Sequence, residues 1–154
     1  MRIKKVKTTD EASPKQTVEK IKYWDAIEVK EIAIKLISEN NFTFPTNVPI
    51  CYVFIDTAKY WGKASLVSPL TNFMSGYNFI LTINHAQWLL LNEQQREALV
   101  FHELCHFGYD AEKDKYYIVD HDLEEFSRVV SKYGLWRESV KIMADSIQKR
   151  LSVG

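Results

Sequence analysis

The chain has 154 residues and a mass of 18.0 kDa, enough for one domain that buries roughly 70% of the surface its unfolded form exposes. With 26% charged residues and 46% in the AVILMFWYC set, it is excluded from the disordered and fibrous classes. Twenty basic and twenty acidic residues cancel, which argues against a strongly basic nucleic-acid protein, but the zero is a sum of +3 over residues 1–35, 0 over 36–92, −7 over 93–125 and +4 over 126–154.

Residues 1–14 read as a flexible basic arm carrying Arg2, Lys4, Lys5 and Lys7 and ending at Ser13-Pro14. Polar TTDEASPKQ follows where a signal peptide needs its apolar stretch, and the longest apolar run, Val48 to Ile55, is broken by Pro49. A cytoplasmic protein outside the membrane is the expectation. Residues 15–154 then read as a single domain. Lys15 to Asn40 has helical patterning, with a break expected near Trp24. Asn40 to Pro49 is loop chemistry. Ile50 to Asp56, Gly62 to Leu66 and Tyr77 to Asn84 read as three strands of a small, meandering sheet.

A helix is predicted from Glu93 to about Phe107. Asn92 and Gln95 form a capping-box pattern at its start, and Gly108 stands where a C-terminal cap belongs. A polar connection, Asp110 to Lys115, leads to Tyr116-Tyr117-Ile118-Val119. Another helix is expected from Asp120 or Asp122 to Tyr133, stopped by Gly134, and a last one over Trp136 to Leu151. The fold class is α+β, a small and mainly antiparallel sheet packed against helices.

The central helix carries His102-Glu103-Leu104-Cys105-His106, an HExxH pattern. Residues four apart on a helix share a face, so two imidazoles converge on one ion while the adjacent glutamate points to a neighbouring quadrant. That donor set suits one Zn2+ with a carboxylate beside the coordinated water. Glu103 is then the base that takes the water's proton and returns it to the leaving amine. A chance HExxH in a chain of this length is on the order of one in a hundred, and this one lies in the best-capped helix.

A catalytic zinc needs a third protein ligand. Of four histidines, His85 and His121 remain. His121 is favoured because a neutral imidazole completes a three-histidine site without added charge, and Glu124 or Glu125 is the alternative third ligand. The 14 residues between His106 and His121 exclude the compact HExxHxxGxxH arrangement. His85 follows a strand and reads as a surface or capping histidine. Cys105 reads as a small buried hydrophobe. Two cysteines, Cys51 and Cys105, cannot build a disulfide framework and fit a reducing compartment.

Trp61-Gly62-Lys63-Ala64, the strand Tyr77 to Asn84, Asn92-Glu93-Gln94-Gln95-Arg96-Glu97-Ala98-Leu99, HELCH at 102–106, HDLEEF at 121–126 and Tyr133-Gly134-Leu135-Trp136 together resemble the phage metallopeptidase family. More distantly they resemble SprT-like zinc metallopeptidases. The resemblance covers Ile50 to Trp136. It implies a zincin-like domain of phage or prophage origin, acting in the host cytoplasm, with an outer strand bordering the cleft and a later helix supplying the last ligand. In SprT-like proteins that ligand is a histidine followed by an aromatic, which His121 and Phe126 match loosely. Two cysteines cannot supply the zinc ribbon common in that wider group, so the nucleic-acid association it would bring is weak here.

The expected activity is zinc-dependent hydrolysis of peptide bonds in a protein or peptide substrate. Tyr77 to Asn84 is expected as an edge strand that pairs with the substrate, with Asn78, Thr82 and Asn84 as substrate-binding candidates facing the cleft or solvent. Tyr116, Tyr117 and Tyr133 are oxyanion-donor candidates for which packing is the plainer role. The alternative is a catalytically idle zinc-stabilised module that binds a host protein or a DNA-associated complex. Oligomeric state is not encoded in any feature of the sequence.

Overall fold

The strand Phe79–Asn84 (β4) is the most buried of the sheet and takes an interior position in it. It pairs in parallel with Ile50–Ile55 (β2) on one side and antiparallel with Gly62–Leu66 (β3) on the other. Tyr23–Asp25 (β1) pairs antiparallel with β2, giving a mixed four-stranded sheet in the order β1-β2-β4-β3. The computed structural model describes residues 21–120, 127–134, 136 and 137. The expected basic arm, the segment His121 to Phe126, and the last helix from residue 138 onward lie outside the described residues.

The expected three-strand meander is thus corrected in two ways. The chain leaves β2, runs out to β3, passes through the short helix Pro69–Ser75 (α2) and returns to fill the place between them. Composition explains this order. FILTIN has no charge and suits a position hydrogen-bonded on both edges, whereas GKASL, with a lysine and small residues, suits an edge. The second correction is at the N-terminal side, where the chain does break near Trp24 as expected but residues 23–25 are strand, and the helix begins only at Ile27 (α1, Ile27–Glu39). Extended backbone there lets the Trp24 ring pack against Phe54 and His85, with centroids 6.0 and 5.0 Å away.

Strand alternation sorts the sheet into two faces. Ile50, Tyr52 and Phe54 of β2, Phe79, Leu81 and Ile83 of β4, and Gly62, Ala64 and Leu66 of β3 are in register on one of them. Helix α1 and the long helix Glu93–Leu104 (α4) cover this face; α4 follows the single turn His85–Trp88 (α3). Val29, Ala33 and Leu36 of α1 and Ala98 to Leu104 of α4 supply the facing core.

The structure also stops α4 at Leu104, with Cys105 as C-cap, so the expected continuation to Phe107 and the cap at Gly108 are corrected. Phe107–Asp110 (β5) turns away as a strand and pairs antiparallel with Lys115–Ile118 (β6). The pull is apolar: Phe107 is fully buried and stacks on Phe79 at 4.1 Å, while Tyr116 meets Phe79 edge-on at 5.3 Å. Such aromatic pairs add about 1 kcal/mol each beyond burial. Gly108 lies in β5 beneath the Tyr117 ring, where a Cβ would collide with the ring carbons. The last described helix, Ser127–Tyr133 (α5), ends at Gly134 with φ +70°, as its sequence indicates. Among the described residues no helix is long and apolar enough to cross a membrane.

Candidate metal centre

Helix α4 is held at both ends by local chemistry. The Asn92 side chain accepts from the Gln95 backbone N–H at 2.8 Å, and the Gln95 side chain accepts from the Asn92 N–H at 3.0 Å, a complete capping box. One turn on, Arg96 donates to the Trp88 carbonyl and lies over the Trp88 ring. From Ala98 to Leu104 every residue is buried. Five of the seven are apolar; the other two are His102 and Glu103, each 4% exposed. An imidazole and a carboxylate enter an apolar core at high desolvation cost unless they are hydrogen-bonded or bind an ion.

Beyond Leu104 the helix tightens, and the His106 N–H bonds the Glu103 carbonyl at 3.1 Å. His106 therefore follows the last helical residue but stays one turn above His102, with ring centroids 5.3 Å apart. His102, Glu103 and His106 each present a ligand atom within 4.8 Å of the others. His102 Nε2 and Glu103 Oε2 are 3.8 Å apart.

The orientation of His106 is fixed by the residue just after β6. Its Nδ1 is 2.6 Å from the Val119 carbonyl oxygen, and the Val119 N–H donates to the His106 carbonyl at 2.6 Å. A carbonyl only accepts, so Nδ1 is the protonated nitrogen of this pair and Nε2 is the one turned to the cluster. Two imidazoles flanking a buried carboxylate are a donor set that fits a divalent metal of the zinc type.

Gly62 closes the cluster on the sheet side. A Cβ built on it would lie 2.8 Å from Glu103 Oε2 and 3.0 and 3.1 Å from Glu103 Cγ and Cδ. The bare backbone at the start of β3 is the surface against which the glutamate rests.

The other candidates are placed as follows. His85 opens α3 and packs edge-on against Trp24 and Phe54, outside the cluster. Cys105 is buried, and neither cysteine is disulfide-bonded. Burial, and then the nearby Asp25, push the Cys51 thiol pKa up. The expectation that Tyr77 to Asn84 is an edge strand is corrected, since β4 is paired on both sides and β3 is the outer strand. Thr82 and Asn84 alternate with Ile83, which is in register with Gly62, so they lie on the face turned away from α4. The Asn84 amide donates to the Ala58 and Tyr60 carbonyls, and its oxygen caps α3. Asn78 precedes β4, where its N–H bonds the Pro49 carbonyl. His121, Glu124 and Glu125 lie outside the described residues.

The Tyr133 hydroxyl donates to Glu97 at 2.6 Å, and burial followed by this bond holds its pKa well above the usual tyrosine range. Tyr116 packs on Phe79 and Tyr109, and Tyr117 covers Gly108. Sequence reasoning missed two contributors, Val119 and Gly62. Val119 acts through its backbone and leaves no side-chain signal; Gly62 was visible only as part of a shared run.

Neither curated proteins nor solved structures yield a match to the chain. Residues 21–148 match the family described as "Putative phage metallopeptidase". The match takes in every element of the cluster, and the chain belongs to that metallopeptidase family.

Proposed function

We propose that the protein is a zinc-dependent peptidase in which His102, His106 and His121 hold one Zn2+, with Glu125 or Glu124 as the alternative to His121, and Glu103 is the catalytic base. The observation that carries this reading is the convergence of His102 and Glu103, buried in the core-facing stretch of α4, with the half-buried His106 just beyond its end, their ligand atoms within 4.8 Å of one another. Support for His121 comes from the paired hydrogen bonds between His106 and Val119, two residues before it.

Zinc held there supplies a Lewis acid that acidifies water and polarises a scissile carbonyl. The chain's own groups do the rest. Val119 keeps His106 Nδ1 protonated and Nε2 available. Glu103, desolvated and pressed against Gly62, receives a proton from water and delivers it to the departing amine. The α4 side of β3 carries Gly62, and β3 has no strand partner on its outer edge among the described residues. An extended peptide adding to that edge would pass Glu103 and gain main-chain hydrogen bonds.

The test is Glu103→Gln in the zinc-loaded protein, assayed on an unstructured protein substrate. Turnover is expected to fall about 10²- to 10⁴-fold with bound zinc unchanged. Unchanged hydrolysis sinks the mechanism. Full biological activity in this variant, with the fold intact, would instead favour the idle zinc module that engages a host protein or a DNA-associated complex.

A further inference from the structure

Gly62 is in an ordinary backbone conformation for an L-residue, since the positive-φ glycines of the described chain are Gly76 and Gly134. Backbone strain therefore does not account for a glycine here. A glycine inside a strand has no side chain to pack and weakens the strand, unless something approaches its backbone closely. What approaches is Glu103: the position a Cβ would take lies 2.8, 3.0 and 3.1 Å from three consecutive heavy atoms of its side chain, ending at a carboxylate oxygen. Gly62 is fixed in turn by its register with Ile83, which is fully buried, and by the bond from the Asn84 N–H to the Trp61 carbonyl at 2.8 Å.

We infer that Gly62 is a positioning residue for the peptidase reaction: its missing side chain forms the seat that sets where the Glu103 carboxylate stands. The inference rests on the peptidase reading above and adds a residue whose missing side chain acts through Glu103. The physical logic is asymmetric. The sheet side of the contact is backbone held by its pairing with β4 and by the Asn84–Trp61 bond and yields less readily, whereas the Glu103 side chain ends in rotatable bonds. A methyl group at 62 would therefore be accommodated by moving the carboxylate, not by unfolding β3. A displacement near 1 Å of a reacting group costs on the order of 10²-fold in rate.

The experiment uses the full chain with Gly62→Ala, Glu103→Ala and their combination, together with Ala64→Ser as a control on the same strand. In the zinc-loaded protein, Gly62→Ala is expected to lower kcat about 10²-fold, with KM changed less than about 3-fold and zinc stoichiometry retained. Ala64→Ser is expected to leave kcat close to wild type. In the metal-free protein, Gly62→Ala is expected to lower Tm by about 3 °C, and adding Glu103→Ala, which vacates the space, is expected to remove most of that loss. The proposal is overturned by wild-type kcat in Gly62→Ala, by parallel loss of kcat and bound zinc, or by additive Tm changes in the double variant. If the zinc-loaded wild-type protein hydrolyses no peptide, the peptidase reading fails, while the metal-free Tm coupling still decides whether residue 62 sets the position of Glu103.

Discussion

His106 and Val119 are joined by two hydrogen bonds of 2.6 Å, one from the imidazole Nδ1 to the Val119 carbonyl and one from the Val119 N–H to the His106 carbonyl. The second bond locks the backbone so that the first can aim the ring. Val119→Pro deletes the N–H while keeping a carbonyl at the same position. It is expected to weaken zinc binding about 10- to 100-fold, the usual effect of losing an orienting partner. Competition with a chromogenic chelator measures this, and wild-type affinity would show that His106 needs no such support.

The third ligand is separable by residue type. His121→Ala is expected to lower zinc stoichiometry well below one per chain at micromolar concentrations, whereas Glu124→Gln and Glu125→Gln are expected to retain it. Metal analysis after gel filtration reads the outcome. Full zinc occupancy in His121→Ala together with loss in one glutamine variant would transfer the role to that carboxylate.

Tyr133 gives a pH signature that is independent of metal. Burial and the bond to Glu97 raise its pKa in the folded state above the ordinary value near 10. For a raised pKa, the contribution to stability is fully present below about pH 10 and is lost as pH climbs from there toward the folded value. Tyr133→Phe should therefore cost about 1–2 kcal/mol at neutral pH. The gap to wild type should close above pH 10 by at most about 1.4 kcal/mol per pH unit. Urea unfolding between pH 7 and 11 measures it, and a gap that stays constant throughout would refute the assignment.

The parts of this protein that were legible in its sequence are those whose determinants are local. Asn92 and Gln95 announce the start of α4 because each caps the other three residues away, and Gly134 announces the end of α5 by its positive φ. HExxH announces its own geometry because a four-residue spacing stacks the second histidine one turn above the first even though the helix has already ended at Leu104. The misread parts are decided by distant partners. Trp24 sits in a helical pattern but follows Phe54 and His85 into extended backbone. Phe107 continues the apolar period of α4, yet stacking on Phe79 turns it into a strand. The interior place of β4 depends on how β3 is routed around it, which no period-two pattern encodes. For the same reason the alternation of β4 does not tell which of its two faces Gly62 shares; the register does, and Thr82 and Asn84 lie on the other.

The two halves of the centre differ in the length of chain that must be closed to build them. His106 meets Val119 across a single hairpin, a short loop with a small closure entropy. Glu103 meets Gly62 only after β3, α2, β4 and α3 have all been laid down between them. The imidazole side is thus a low-contact-order feature and the carboxylate side a high-contact-order one. A chain with its hairpin formed and its sheet incomplete has an oriented His106 before it has a seated Glu103, so the two sides of the cluster are assembled by separate closures of the chain.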